Sequence, residues 1–139
     1  MKKDMGKDLN NKMFCFQCEQ TAGCTGCTGK AGVCGKTSDV AHLQDELTGA
    51  LIGLARSTDG GTQATSDTWR LMMEGLFTTV TNVNFNEKTI REMINRVHAE
   101  KERLVPNCSG CASRCGRNDD YDMTLLWNAG EDIRSLKSL

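Results

Sequence analysis

The placement of the cysteines constrains this chain most. All eight fall in two short stretches, residues 15–34 and 108–115, with none between them. Cys15, Cys18, Cys24, Cys27 and Cys34 occupy "FCFQCEQTAGCTGCTGKAGVCGKT", where Gly23, Gly26, Gly29, Gly32 and Gly35 are interleaved with them. Such a segment reads as a loop organised by what its thiols hold. A single metal centre usually takes four protein ligands, so one of the five is surplus.

Compartment decides how such thiols are read. The N-terminal "MKKDMGKDLNNK" is polar, lacks the apolar stretch of a secretory signal, and reads as a flexible arm over residues 1–12. No apolar run reaches the roughly 18 residues that a membrane span needs. The expected location is the cytoplasm, where thiols are kept reduced. There, CxxC spacing points to metal or cluster ligation rather than disulfides. A thioredoxin-like dithiol would require the pair to open a helix in a βαβ unit, and no such pattern surrounds Cys15 and Cys18.

Zinc sites of the ribbon type pair two CxxC motifs about 15–20 residues apart. Here the Cys24–Cys27 pair follows Cys18 after only five residues. An iron–sulfur cluster needs thiolates arriving from several directions. Glycines let the backbone approach its sulfides and offer amides to them. The spacing therefore favours an iron–sulfur cluster over zinc.

The cysteine-free middle has helical periodicity. After Thr37 or Ser38, either of which can cap, Val40, Leu43, Leu47, Ala50, Leu51 and Leu54 form one apolar stripe that ends before Gly60-Gly61. A second helix starts near Ser66-Asp67, with Trp69, Met72, Met73, Leu76, Phe77 and Val80 expected to pack in the core. Asn86 is expected to cap a third helix bearing Ile90, Met93, Ile94 and Val97, closed by a charged turn "HAEKERL" and by Pro106. Aromatics make up only 5% and Pro106 is the single proline, which favours helices over a β-sandwich. The fold class expected is all-α: a three-helix up-down-up bundle preceded by the cysteine loop and followed by a second cysteine loop and a partial helix. The net charge of −1 and the scattered basic residues give no reason to expect nucleic acid or a membrane as partner.

"MFCFQCEQTAG" with the Gly-rich loop and "GVCGKTSDVAHLQDELTGAL" closely resembles the N-terminus of the hybrid cluster proteins, also called prismane proteins or hydroxylamine reductases. "LFTTVTNVNF" resembles the family's second-helix segment, and "EDIRSLKSL" the start of its next helical domain. The resemblance implies that Cys15, Cys18, Cys27 and Cys34 hold a cubane, usually [4Fe-4S]. Eight residues separate Cys18 from Cys27 and six separate Cys27 from Cys34, as in the family pattern. Cys24 falls where the family usually has no cysteine. The resemblance also implies a hydroxylamine reductase whose substrate is reduced at a second, hybrid iron–sulfur–oxygen cluster. That cluster's ligands lie in later domains absent from this chain. This chain is then an electron-entry unit, receiving electrons from an outside donor protein and relaying them onward.

Cys108, Cys111 and Cys115 have CxxCxxxC spacing. They form a second site if Cys24, His98 or Asp119 supplies a fourth ligand. Otherwise they simply pack, as free cysteine often does. Asp119-Asp120-Tyr121-Asp122 lacks the glycine and glutamate of a calcium loop and reads as a solvated turn and helix start. His42 and His98 have no spacing partner and are expected to be surface or satisfied residues. Phe14 and Phe16 flank Cys15, where they would shield a cluster or anchor its loop.

The organisation expected is an arm (1–12), a cluster loop (13–37), a bundle (38–105), a second cysteine loop (106–124) and the start of a further helical domain (125–139). Partners expected are the electron donor and the remaining domains. A homodimer is the other way to cover a face that truncation leaves open. The competing class is a stand-alone zinc-stabilised or ferredoxin-like binding module acting through a partner.

Overall fold

The computed structural model describes residues 13–15, 26–58, 64–80, 85–105, 119–127 and 133. Each of its three long helices begins where a side chain can take up amides that have no partner inside the helix. Helix α1 (Ser38–Thr58) opens with the Thr37 hydroxyl accepting the Val40 amide at 3.3 Å. Helix α2 (Ser66–Val80) opens with a reciprocal pair: Thr65 Oγ1 accepts from the Thr68 amide at 3.4 Å, and Thr68 Oγ1 accepts from the Thr65 amide at 3.0 Å. Its cap is thus one residue ahead of the expected start. Helix α3 (Glu87–Leu104) is capped as expected by Asn86, which accepts from Lys88 and Thr89 at 3.0 and 3.4 Å. A short helix α4 (Thr124–Trp127) follows Asp122, which takes the Thr124 amide at 2.9 Å and its hydroxyl at 2.6 Å. Among the described residues there is no strand, only two isolated β-bridges.

The three long helices pack against one another around a single core. Val40, Leu43, Leu47, Ala50, Leu51 and Leu54 of α1 are all buried, as are Ile90, Met93, Ile94 and Val97 of α3. Both stripes match the sequence reading. Residues early in α2 meet residues late in α3: the Arg103 guanidinium donates to Thr68 at 3.3 Å and to Glu100 at 2.7 Å, and Thr68 Oγ1 also donates to Glu100. About two turns along, Arg96 pairs with Glu74 at 2.9 Å. Helix α2 is therefore antiparallel to α3.

Two expectations fail here. The apolar residues of α2 expected in the core do not form its core face: Trp69, Met73, Leu76, Phe77 and Val80 are 50 to 72% exposed, and Met72 is only partly buried. The buried face is instead Thr68, Leu71, Gly75, Thr78 and Thr79. The physical reason is close approach. A Cβ placed on Gly75 would stand 2.7 Å from Leu51 Cδ2, so α1 nests against the side of α2 that has no side chain there. Burial of the threonines costs little because Thr78 and Thr79 return their hydroxyls to the carbonyls of Glu74 and Leu76, each at 2.8 Å. Second, "HAEKERL" is the last two turns of α3 rather than a closing turn, because its charges sit on helical positions with partners in space. The Gly60-Gly61 loop and Pro106 lie outside the described residues.

The chain returns over α1 after the second cysteine stretch. The Tyr121 amide donates to the Gly49 carbonyl at 3.1 Å. A Cβ on Gly49 would stand 2.4 Å from the Tyr121 carbonyl oxygen, and one on Gly53 would stand 2.9 Å from Asp120 Oδ1. Glycines one helical turn apart thus form the groove in which residues 119–122 lie.

Candidate metal centre

Three of the four expected ligands fall within the described residues, and two of them face each other. Cys15 and Cys27 exchange both backbone hydrogen bonds across an antiparallel bridge, at 3.0 and 2.8 Å. The Met13 amide continues the register to the Gly29 carbonyl at 3.1 Å. Directly opposed residues project from the same face, with Cα atoms about 5.5 Å apart in a pair of this kind. Both thiols therefore stand on one side of the bridged segments. Cys18 and Cys24 lie outside the described residues.

Cys34 is carried by a tight hairpin. The Ala31–Thr37 bridge closes it, the Gly32 amide donates to the Lys36 carbonyl at 2.7 Å, and the Gly35 amide donates to the Gly32 carbonyl at 2.9 Å. Gly35 has φ +86°, a left-handed conformation that side-chain-bearing residues rarely adopt. That glycine turns the chain immediately after Cys34. A Cβ on Gly32 would lie 3.5 Å from Cys34 Sγ, 3.7 Å from Met13 Cε and 3.7 Å from Lys36 Cβ. The bare backbone at Gly32 is thus the point where the Cys34 thiol, the Met13 side chain and Lys36 come together.

Cys15, Cys27 and Cys34 are each partly buried. Met13 is buried and Phe14 half-buried, while Phe16 lies outside the described residues. Lys36 was missed by sequence reasoning, which read the basic residues as scattered rather than clustered. It is only 1% exposed. Its ammonium stands 3.6 Å from Cys15 Sγ and 5.9 Å from the centre of the Phe85 ring. The local sequence carries no signal for it, because its burial depends on Cys15, 21 positions away.

This donor set suits the polynuclear anionic group expected from the sequence. Two thiols share one face, a third is presented by a glycine-turned hairpin, and a buried cation stands beside them. Among the described residues no group of three or more Cys, His, Asp or Glu side chains converges as the ligands of one ion would.

The second cysteine group, Cys108, Cys111 and Cys115, lies outside the described residues. Two side chains considered as its fourth ligand are placed. Asp119 is exposed. His98 Nε2 is 2.7 Å from Asp120 Oδ2, and Lys101 Nζ is 2.6 Å from Asp120 Oδ1. Burial opposes ionisation of Asp120, but the hydrogen bonds from Lys101 and His98 outweigh it and hold the carboxyl below its ordinary range. Asp122 is also lowered, by its hydrogen bonds from the Thr124 hydroxyl and amide. The acidic phrase is thus a docked turn and helix start, with Asp120 engaged rather than merely solvated.

The family model described as the Prismane/CO dehydrogenase family matches residues 13–139. The chain belongs to this family. It is 36% identical to the hydroxylamine reductase of Maridesulfovibrio salexigens, over 91% of this chain and 26% of that protein. It is 35% identical to the hydroxylamine reductase of Methanocaldococcus jannaschii, again over 91% of this chain and 26% of the relative. The enzyme of the same name from Clostridium perfringens is 36% identical, over 91% of this chain and 27% of its own length. The chain spans about a quarter of the length of the curated relatives it matches. The family resemblance carried by the sequence phrases is borne out. Among the described residues, no helix is long and apolar enough to cross a membrane.

Proposed function

We propose that this chain is the iron–sulfur electron-entry unit of a hydroxylamine reductase, with Cys15, Cys18, Cys27 and Cys34 holding one [4Fe-4S] cluster. The observation that carries the reading is the Cys15–Cys27 pair, opposed in one register beside the Cys34 hairpin. Matches to hydroxylamine reductases over nine-tenths of the chain support it. When bound, the cluster supplies reversible one-electron chemistry, its potential set by burial, charge and hydrogen bonding. The cysteine thiolates hold it, while Met13 and Phe14 limit water on the side of the bridged segments.

In the proposed whole enzyme, hydroxylamine takes up two electrons and two protons and leaves as ammonia and water; a role in nitric oxide detoxification belongs to the same reading. That reduction belongs to a hybrid iron–sulfur–oxygen cluster held by residues beyond this chain, fed in the cytoplasm by a donor protein. The remaining domains are the proposed occupant of the exposed apolar stripe of α2, because the relatives are about four times longer and Trp69, Met73 and Phe77 line an open apolar groove there. A monodisperse dimer of this chain that Phe77→Lys dissociates would assign the stripe to a second copy instead.

The test of the cluster is anaerobic purification with iron, sulfide and zinc quantified, and EPR spectra before and after dithionite. About four irons and four sulfides per chain are expected. About eight of each would bring Cys108, Cys111 and Cys115 into a second site. Stoichiometric zinc without sulfide would overturn the electron-entry reading and favour a zinc-stabilised binding module.

A further inference from the structure

We propose that Lys36 sets the reduction potential of this centre by holding a fixed positive charge against its Cys15 end; the inference rests on the cluster reading above. Lysine is almost never fully buried unless its charge is matched. Lys36 is among the most completely buried side chains described, and its ammonium lies 3.6 Å from the Cys15 sulfur. The Phe85 ring, 5.9 Å away, favours a cation in the same place.

The backbone leaves the side chain little choice. The Lys36 carbonyl is tied to the Gly32 amide at 2.7 Å, and the Thr37 bridge to Ala31 fixes the next residue. Helix α1 begins at Ser38 directly afterwards. Lys36 therefore extends inward between Cys15 and Phe85, the residue just ahead of the Asn86 cap of α3. The hairpin that presents Cys34 thus also aims a cation at the opposite thiol.

A charge in that position acts on one oxidation state more than the other. Reduction adds one electron to the centre, with no bond made or broken. The extra negative charge interacts favourably with the nearby ammonium. Burial keeps solvent and salt from screening the interaction, as they would at a surface site. Lys36 is thus a tuning residue, acting through the Cys15 sulfur rather than as a ligand.

The experiment compares the full chain with Lys36→Met, Lys36→Gln and Lys36→Arg, each purified anaerobically with iron and sulfide quantified. The midpoint potential is read by EPR-monitored dithionite titration at low and high salt. The neutral variants are expected to retain the cluster with a potential lower by at least a tenfold shift in the reduction equilibrium, about 59 mV for one electron. The shift should persist at high salt, and Lys36→Arg should stay close to the parent. Loaded neutral variants with an unchanged potential would overturn the role of Lys36 while leaving the cluster reading intact. Should the neutral variants lose iron and sulfide, retention by Lys36→Arg supports the charge, whereas loss in all three makes Lys36 a packing residue. A parent chain without iron and sulfide overturns both readings.

Discussion

Gly49→Ala sets two known effects against each other. Alanine is favoured over glycine in a helix interior by about 1 kcal/mol, so on propensity alone α1 should become more stable. The structure argues the opposite sign. The new Cβ would lie 2.4 Å from the Tyr121 carbonyl oxygen, a backbone atom that cannot rotate away. Residues 119–122 must therefore lift from α1. Lifting weakens the Tyr121–Gly49 hydrogen bond, worth about 1 kcal/mol. It also loosens the partly exposed ion pairs of Asp120 with His98 and Lys101, together about 1 kcal/mol after screening. The stacking of Arg56 on the Tyr121 ring, at 5.7 Å, adds roughly 0.5 kcal/mol. Strain and lost contacts thus exceed the helix gain, leaving a net destabilisation of about 1–2 kcal/mol. Urea unfolding followed by helical circular dichroism measures the net value, and hydrogen exchange at the Tyr121 amide reports where it arises. A variant stabilised by about 1 kcal/mol, with the Tyr121 amide still protected, would refute the docking of this segment.

Three further outcomes are expected. Leu54→Ala removes a fully buried side chain from the C-terminal end of the α1 stripe and should cost about 3–4 kcal/mol in the same urea assay; a loss below about 1 kcal/mol would place Leu54 outside a packed core. Asp120→Asn should lower stability at neutral pH: because folding depresses this carboxyl, its contribution is present above the ordinary aspartate value of 3.8 and is lost as acid titrates it through the lowered value. The difference between parent and variant should therefore shrink toward zero in acid, and a difference constant down to that range would contradict the ion pairs. Gln44 is buried with both amide atoms unpartnered, so Gln44→Leu should stabilise by about 1–3 kcal/mol; a fall in the urea midpoint would mean that the amide is satisfied in solution.

Local pattern and tertiary contact divide the determination of this protein between them. The α1 and α3 stripes and the Thr37 and Asn86 caps were legible because each depends on near neighbours in sequence: helical spacing, and a side chain reaching its own amides. Family membership was legible for the same reason, being carried by contiguous phrases. The face of α2 was not, because apolarity marks a surface without saying what covers it. Gly75 let Leu51 come closest on the threonine side, and packing followed backbone approach rather than hydrophobicity. The Asp120 pairs with His98 and Lys101, and the Lys36 ammonium beside Cys15, join residues about twenty positions apart. No periodicity encodes such contacts. The sequence by itself determined where the three long helices would form. Only the tertiary structure decided which face was buried and which cation met which thiol, because burial and charge pairing are settled by distance in space.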